Sequence, residues 1–325
     1  MEPQKEPNPN YLPYPPHVQQ PTDDEIDLRD LVKVIWKRKW LITSITLLFA
    51  IGSVIYALSL PNIYKADALL APTESVNGGG LSKMAGQFGG LAALAGVNLV
   101  GAESSQADLA VQVMQSRQFI ERFINKHELL IPIMATKGWD LTQNELIIDK
   151  DAYDPTSGEW LRDPKGLRGA KPSAQEAFEV FFKEILTIKS DKESGLYSLS
   201  INYYSPYLAQ QWVEWLVEDI NKVMRERTIK ESSQNLAYLN TQLQKTAVAD
   251  MQGTFYKLIE EQTKSLMLAE VQEEFVFKVV DPAVVPEIKA KPNRALICIL
   301  GTFLGALLSV IMVVFYYIKK TFFEV

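Results

Sequence analysis

Two long apolar runs interrupt an otherwise mixed pattern of polar and hydrophobic positions. The first is WLITSITLLFAIGSVIYALSL, residues 40–60, and the second is ALICILGTFLGALLSVIMVVFYYI, residues 295–318. A helix that crosses a bilayer needs about 20 apolar residues, and neither run contains a charged residue. The pattern therefore predicts two transmembrane helices that anchor the segment between them, residues 61–294.

Basic residues predict the orientation of these helices. Four of them immediately precede the first run: Lys33, Lys37, Arg38 and Lys39. Because positive charge is retained in the cytoplasm, we expect the N-terminus inside, residues 61–294 outside, and the tail 319–325 inside again. Lys289, Lys291 and Arg294 favour the opposite orientation, but the first span usually dominates and long loops translocate largely regardless of charge.

The segment before the first span divides into two parts. Residues 1–25 are rich in proline and polar residues and have no apolar period, which predicts a disordered tail. Residues 26–39 place Ile26, Leu28 and Leu31 near one helical face, with basic residues towards the membrane. This pattern is typical of a short interfacial helix that leads into the span.

Alternating patterns predict strands between the two spans. Tyr64–Pro72 alternates directly after the first span, and residues 275–279 alternate shortly before the second. If these two strands pair, they hold the membrane helices together. Leu196–Pro206 is the clearest strand, and residues 186–190 make its hairpin partner with Gly195 in the turn.

Helical periods occupy much of the remaining segment. One helix is predicted over residues 104–127, from a capping serine onward, and another follows the capping box formed by Ser173 and Glu176. The longest helix is predicted at about 207–249. The expected fold class is therefore an α+β domain with a long extended helix, anchored by two transmembrane helices.

The long helix changes character along its length. Trp212, Leu216 and Ile220 form an apolar row, whereas the stretch MRERTIKESSQN, which includes Arg225 and Glu226, is almost entirely polar. A helix with a polar middle is not expected in a core, so we expect it to project into solvent or to lie against copies of itself. The 43 residues from Tyr207 would reach about 65 Å.

Composition argues against most chemistries. The net charge is −6 without a basic stripe, which disfavours nucleic acid as a partner. The single cysteine, Cys298, lies in the second apolar run, so no cysteine metal site is expected. The motifs G-x-S-x-G, H-E-x-x-H and C-x-x-C do not occur, and the glycine-rich residues 78–96 do not form a phosphate loop. We therefore expect no catalytic residue, metal or cofactor, and we interpret Asp149-x-Asp151 as accidental.

Several segments together resemble a known family. They are IDLRDLVKVIWKRKW, SGLYSLSINYYSPYLAQQWVEWLVEDIN, LIEEQTKSLMLAEVQEEFVFKVVDPAVVPE, and the second span with the prolines before it. In these segments the chain resembles the Wzz-type chain-length determinants, which are bacterial polysaccharide co-polymerases. The resemblance covers residues 26–318. Only residues 319–325 follow the second span, so no fused kinase domain is expected.

The resemblance implies a scaffold without a reaction of its own. Such proteins form homo-oligomeric rings in the bacterial inner membrane, with both termini cytoplasmic and the main domain periplasmic. They set the length of O-antigen lipopolysaccharide together with a separate O-antigen polymerase, which extends the nascent lipid-linked polysaccharide. The resemblance thus implies membrane, polymer and polymerase as partners, and no nucleic acid.

The resemblance suggests a role for two prolines, and residue spacing suggests roles for the small residues of the second span and for residues of the long helix. Pro286 and Pro292 are expected to position the second span, and Gly301 and Gly305 to form a groove on it for the first span or for the polymerase. Five residues of the long helix are expected to pack the base or to build the oligomer: Trp212, Leu216, Ile220, Arg225 and Glu226.

Three alternatives remain open at this stage. The protein could be a co-polymerase for a capsular polysaccharide, an exopolysaccharide or a common antigen. It could instead be a membrane-anchored periplasmic glycan-processing enzyme, which would need a pair of carboxylates in a cleft. A transporter subunit is disfavoured because neither span carries an ionisable residue.

Overall fold

The structure is a computed structural model that describes residues 28–73, 106–245 and 249–323. The chain divides into two compact units, one formed by residues up to Leu58 and from Arg294 onward, the other by Ser59–Asn293. The predicted disordered tail, residues 1–25, and the glycine-rich residues 78–96 lie outside the described residues.

The described secondary structure has nine α-helices and nine strands. The helices are α1 Leu28–Lys37, α2 Lys39–Ser59, α3 Gln106–Met114, α4 Arg117–Lys126, α5 Leu130–Met134, α6 Ala174–Val180, α7 Pro206–Lys245, α8 Ala249–Val271 and α9 Arg294–Phe323. The strands are β1 Ile63–Pro72, β2 Thr136–Asp140, β3 Glu145–Ile148, β4 Tyr153–Asp154, β5 Glu159–Trp160, β6 Leu186–Ser190, β7 Tyr197–Tyr203, β8 Phe277–Asp281 and β9 Lys289–Lys291. Helix α6 continues into a π-helix, Phe181–Ile185.

The first unit contains α1, α2 and α9. Helices α2 and α9 are long and apolar enough to cross a membrane. Most of their large side chains are exposed, including Leu48, Ile55, Phe303 and Met312. A core helix of a soluble protein would bury such side chains, whereas a membrane helix presents them to lipid.

The second unit is built on an antiparallel sheet with the strand order β6–β7–β1–β8, in which β9 also pairs with β1. In β7 the alternation buries Tyr197, Leu199, Ile201 and Tyr203, which explains why this strand could be predicted. Strands β6 and β7 form the expected hairpin. Its turn contains Gly195 at φ +71°, a left-handed conformation that glycine adopts readily.

The predicted strands next to the two apolar helices pair with each other. Leu70 of β1 lies opposite Val279 of β8. The structure adds β9, which was not predicted, because its sequence Lys-Ala-Lys has no apolar alternation. Ile63 of β1 lies opposite Lys291 of β9, so the sheet pairs the chain shortly after α2 with the chain shortly before α9.

The predicted helix over residues 104–127 was wrong in one respect, because the structure has two helices there. Helix α3 ends at Met114, and Ser116 has extended backbone angles and caps α4 by accepting a hydrogen bond from the Phe119 N–H at 3.3 Å. Serine competes with the helix for backbone hydrogen bonds, which explains the break. The predicted capping serine lies outside the described residues, whereas the Ser173–Glu176 capping box is present.

The long helix is confirmed as α7, but the prediction missed its partner. Helix α8 of the same chain folds back along it. Asn235 Nδ2 donates to Gln262 Oε1 at 3.3 Å, and Arg225 Nη1 donates to the Gln272 carbonyl at 3.4 Å. The polar middle therefore packs in part within its own chain. The buried side chains at this pairing are mostly small, as in Ser232 and Ser265, and they produce no apolar stripe in the sequence.

Candidate functional site

The apolar row of α7 lies in the core of the second unit. Trp212, Leu216 and Ile220 are each 0% exposed, and α7 packs against β1 and β7. The Trp212 ring lies 4.3 Å from the ring of Tyr203, measured between centroids. Burying one such side chain contributes about 1.5–3 kcal/mol. These residues therefore stabilise the core of the second unit around its sheet, and any role in an oligomer would be indirect.

Arg225 and Glu226 are consecutive but line different grooves. Arg225 is half-buried and lines a groove of about 480 Å³ between α7 and the region around β8. Glu226 is exposed and lines a groove of about 180 Å³ between α7 and α4. Neighbouring helical residues point about 100° apart, which follows from 3.6 residues per turn. Helix α7 thus presents two different grooves on its two sides.

Charge distinguishes these two grooves. The larger one is lined by four carboxylates and two cationic side chains: Glu214, Glu218, Glu273, Glu274, Lys222 and Arg225. The smaller one is lined by Arg122, Lys126 and Lys222 as well as by Asp219 and Glu226. The larger groove therefore has an acidic excess, whereas the smaller one is nearly balanced, because Lys126 is paired with Asp219 and Lys222 lines both grooves. In the described ranges, no three potential metal ligands come together.

Sequence reasoning missed Asn221, which joins α7 to β8. Its Oδ1 accepts hydrogen bonds from the N–H groups of Val276 at 2.8 Å and Phe277 at 2.9 Å, and its Nδ2 donates to the Phe277 carbonyl at 2.9 Å. The side chain is buried. It thereby satisfies backbone groups at the start of β8 that would otherwise be buried without partners. A single asparagine in a helix gives no signal of this role in the sequence.

A second missed residue is Asp219, which is buried on the inner side of α7. Its carboxylate pairs with Lys126 Nζ, and Oδ2 lies 3.0 Å from His127 Nε2. The imidazole of His127 stacks on Trp215 with a centroid distance of 4.2 Å. These contacts fasten the end of α4 to α7. The spacing of three residues from Leu216 was the available signal, since it places Asp219 near the apolar face.

Helices α2 and α9 pack closely through small residues. A Cβ added to Gly301 would lie 2.5 Å from the Cβ of Ser53, and one added to Gly305 would overlap the Cβ of Phe49. Ser309 and Val313, at the same four-residue spacing, are buried. The two glycines therefore face the first span. A polymerase contact at this groove remains a hypothesis.

The ends of this helix pair carry polar contacts. Arg294 Nε donates to the Ala57 carbonyl at 3.1 Å, and the Arg38 guanidinium lies 4.3 Å from the centre of the Tyr316 ring. Pro286 and Pro292 are half-buried in the segment that leads from β8 to α9, on either side of β9. The role predicted for these prolines stays a prediction.

The Asp149-x-Asp151 motif is occupied by a lysine. Lys137 Nζ lies 2.6 Å from Asp149 Oδ1 and 3.5 Å from Asp151 Oδ2. The hydrogen bond from Lys137 lowers the pKa of Asp149 below its ordinary value, and the same bond raises the pKa of the lysine. The lysine thus compensates the negative charge that a metal–nucleotide site would need.

Two family models match parts of this chain. The model for the Wzz family, described as "Chain length determinant protein", matches residues 24–127. Over these residues the chain matches the Wzz family. A further family model, GNVR, described as "G-rich domain on putative tyrosine kinase", matches residues 240–318. The Wzz match includes α2 and β1, and the GNVR match includes α8, β8 and most of α9. The resemblance to polysaccharide co-polymerases is thereby confirmed.

Solved structures of co-polymerases are also similar to this chain, at a low level. A full-length bacterial polysaccharide co-polymerase is 13% identical with a TM-score of 0.37, over 91% of this chain and 99% of that chain. A fragment of WzzB, a polysaccharide co-polymerase from Salmonella Typhimurium, is 13% identical with a TM-score of 0.26, over 71% and 100%. The curated proteins gave no significant match.

Proposed function

We propose that this Wzz-type protein regulates polysaccharide chain length as an oligomeric scaffold in the bacterial inner membrane. The polysaccharide is proposed to be O-antigen lipopolysaccharide, extended by a separate polymerase from a lipid-linked chain. The observation that carries the proposal is the Wzz match at residues 24–127. It covers the segment in which an apolar helix, α2, continues into β1, a strand with neighbours on both sides in the sheet.

The proposed topology places both termini in the cytoplasm and the sheet-bearing unit in the periplasm. Lys37, Arg38 and Lys39 at the start of α2 support it, because basic residues are retained on the cytoplasmic side. Fusions of green fluorescent protein to either end should fluoresce, since the fluorescent protein folds in the cytoplasm but poorly after export. A dark fusion at one end, with normal protein level, would contradict the two-span topology.

The proposed oligomer is a closed ring of identical copies. A ring requires two different, complementary surfaces on each copy. The two grooves beside α7 differ in the way that this requires: the one lined by Arg225 has a carboxylate excess, and the one lined by Glu226 carries Arg122 and the paired Lys126. We infer that neighbouring copies meet through these two sides of α7.

A scaffold role agrees with the chemistry of the described residues. The only D-x-D motif in the sequence is bridged by Lys137, and the buried acids Asp219 and Glu176 are both held in ion pairs. A glycan-processing enzyme would instead need a pair of available carboxylates in a cleft. In the described residues, the four glutamates of the larger groove beside α7 are the group from which such a pair would have to come.

Deletion of the gene tests the proposal. Lipopolysaccharide from the deletion strain, separated on a silver-stained gel, should retain polymer but lose its preferred length, and complementation should restore that length. Complete loss of polymer would favour an enzyme. An unchanged pattern would refute the O-antigen assignment, and the lengths of capsular polysaccharide, exopolysaccharide and common antigen from the same strain would then be compared.

A further inference from the structure

A groove of about 300 Å³ lies between the β2–β3 hairpin and the start of β1. We call it the hairpin groove; the residues that matter here are Asn62, Tyr64, Lys137, Trp139, Leu141 and Tyr204. It lies within the second unit and is separate from both grooves beside α7. Its volume is at the lower end of the range for small-ligand pockets, about 300–1,000 Å³.

Aromatic rings form a fixed platform in this groove. The rings of Tyr64 and Trp139 meet edge to face, with centroids 5.8 Å apart and planes at 84°. Trp139 also meets the ring of Tyr207 at 6.1 Å. The indole N–H donates to Asn144 Oδ1 at 3.0 Å, which fixes the orientation of the ring. A ligand would therefore meet a platform that needs little reordering on binding.

Polar groups border the aromatic platform. Lys137 contributes an ammonium group that is paired with Asp149 at 2.6 Å, and the side-chain oxygen of Asn62 accepts a hydrogen bond from Lys289 Nζ at 3.3 Å. The tyrosine side chains add hydroxyl groups. The lining thus combines apolar ring surface with hydrogen-bonding groups, of which the Lys137 ammonium and the Asn62 oxygen are held in place by partners.

This combination favours one class of ligand. A sugar ring has a face of C–H groups that packs on an aromatic ring, and a rim of hydroxyl groups that exchange hydrogen bonds with charged and amide side chains. A purely apolar ligand would desolvate Lys137 and Asp149 without replacing their hydrogen bonds with water. An anionic ligand is disfavoured because Asp149 already compensates the lysine.

We propose that the hairpin groove binds a short stretch of saccharide through stacking on Trp139 and hydrogen bonding at its rim. The inference rests on the proposed function, since it gives this polysaccharide co-polymerase a direct contact with its polymer. Pro61, which also lines the groove, follows the end of α2 by only two residues. The groove is therefore formed in part by residues that closely follow the first span in sequence.

Binding can be measured on the purified full chain. The chain is solubilised in lauryldimethylamine oxide, a detergent without sugar, and titrated with oligosaccharides released by mild acid from the strain's own surface polysaccharides. Saturation-transfer NMR and calorimetry report the affinity. We expect saturable binding in the wild type and a loss of at least about tenfold in affinity for Trp139→Ala, because the stacking surface is removed.

Trp160→Ala is the matched control. Trp160 is a partly exposed tryptophan of the neighbouring β4–β5 hairpin, where it packs on Tyr153 at 5.0 Å, and it does not line the groove. The affinity of Trp160→Ala for the oligosaccharides should stay within about twofold of that of the wild type, as expected for a change outside the contact. If Trp139→Ala fails to fold, Trp139→Phe decides the matter: it keeps a ring, loses the bond to Asn144, and should bind with intermediate affinity.

Several results would overturn the proposal. They are the absence of saturable binding in the wild type, unchanged affinity in Trp139→Ala, or an equal loss in both tryptophan variants. Loss of binding to phosphatidylglycerol vesicles in Trp139→Ala, without any saccharide binding, would assign the groove to lipid. The gel of the deletion strain separates the two hypotheses: altered polymer length without saccharide binding refutes only the groove, whereas binding without altered length refutes only the proposed function.

Discussion

The protein contains two pairs of long helices that both pack through small residues but differ in the character of their outer faces. In the α7–α8 pair, small side chains such as Ser232, Ser265 and Ala269 are buried where the helices meet. In the α2–α9 pair, Gly301 and Gly305 have this role. The outer faces differ, because the first pair exposes charged residues and the second exposes large apolar residues.

The difference shows where the stability of each pair originates. In water, α7 is held by the large side chains at its base, where Trp212 and Leu216 leave solvent completely. Between membrane helices, lipid is as apolar as the side chains, so burial provides no drive and close packing must supply the attraction. The base should therefore depend on apolar character, and the membrane pair on the size of its side chains.

Leu216→Asp tests the first half of this comparison and should have the largest effect. The change places an unpaired carboxylate where the wild-type side chain is 0% exposed, which should cost at least about 4 kcal/mol. Protein levels on immunoblots should fall strongly. Tyr238→Asp, at a 63% exposed position of the same helix, should accumulate normally. Normal accumulation and oligomerisation of Leu216→Asp would show that the buried face is misassigned.

Gly305→Leu tests the second half. The leucine adds no polarity, so insertion into the membrane should survive. Because a Cβ at this position overlaps Phe49, the overpacked pair should lose about 1–3 kcal/mol. The full chain in detergent should then unfold at a lower temperature, and the polysaccharide in cells should shift towards an unregulated length distribution.

Two variants make the Gly305 result specific. Gly52→Leu is the matched control, since nothing lies within 4 Å of a Cβ added there, and it should leave the unfolding temperature nearly unchanged. Phe49→Ala combined with Gly305→Leu should restore part of the stability by opening space. If stability recovers while polymer length remains unregulated, the groove also contacts the polymerase; recovery of both leaves it as a contact between the two spans.

The same contrast explains which parts of the fold could be predicted. Strand β7 was predictable because tyrosine, leucine and isoleucine alternate with polar residues, and both spans were predictable from length and apolar composition. Helix α8 was missed as the partner of α7, because its contact relies on small side chains that carry no hydrophobic period. The break at Ser116 was missed because helical spacing of apolar residues continues across it.

Candidate site residues could likewise be predicted only where their role follows from the local spacing of apolar residues. The burial of Trp212, Leu216 and Ile220 followed from their spacing, since apolar residues four apart share one helical face. Asn221 could not be predicted, because its partners are backbone groups of β8 that lie more than fifty residues away in the chain. The hairpin groove was missed for the same reason: Tyr64, Trp139 and Tyr204 come together only in the folded unit.

The ion pair of Glu176 with Arg162 tests the contribution of charge to the stability of the second unit. Its loss should have an effect smaller than that of Gly305→Leu and larger than that of replacing Asp149 and Asp151. Arg162 donates to both of its carboxylate oxygens, at 2.7 and 2.9 Å. These bonds lower the pKa of Glu176 from 4.5 to about 2. Since the folded pKa is the lower one, the stabilisation is complete above about pH 4.5 and is lost as the pH falls towards about 2.

Glu176→Gln isolates this charge, because glutamine can retain the capping box with Ser173. The wild type should unfold at a higher temperature than the variant at about pH 6, and the difference should shrink as the pH approaches about 2. Glu179→Gln is the control, since Glu179 makes only an exposed pair with Lys183 at 3.7 Å. A difference that is independent of pH would show that the charge of Glu176 contributes nothing.

Replacing Asp149 and Asp151 together with alanine should have the smallest effect. Lys137, their shared partner, is more than half exposed, so water can solvate its ammonium group once the carboxylates are gone. Because the D-x-D is interpreted as accidental, polymer amount on a lipopolysaccharide gel should stay nearly unchanged at equal protein level. Loss of all polymer in the double variant, at normal protein level, would show that the acids themselves are required. That outcome would favour a glycan-processing enzyme over the proposed scaffold role.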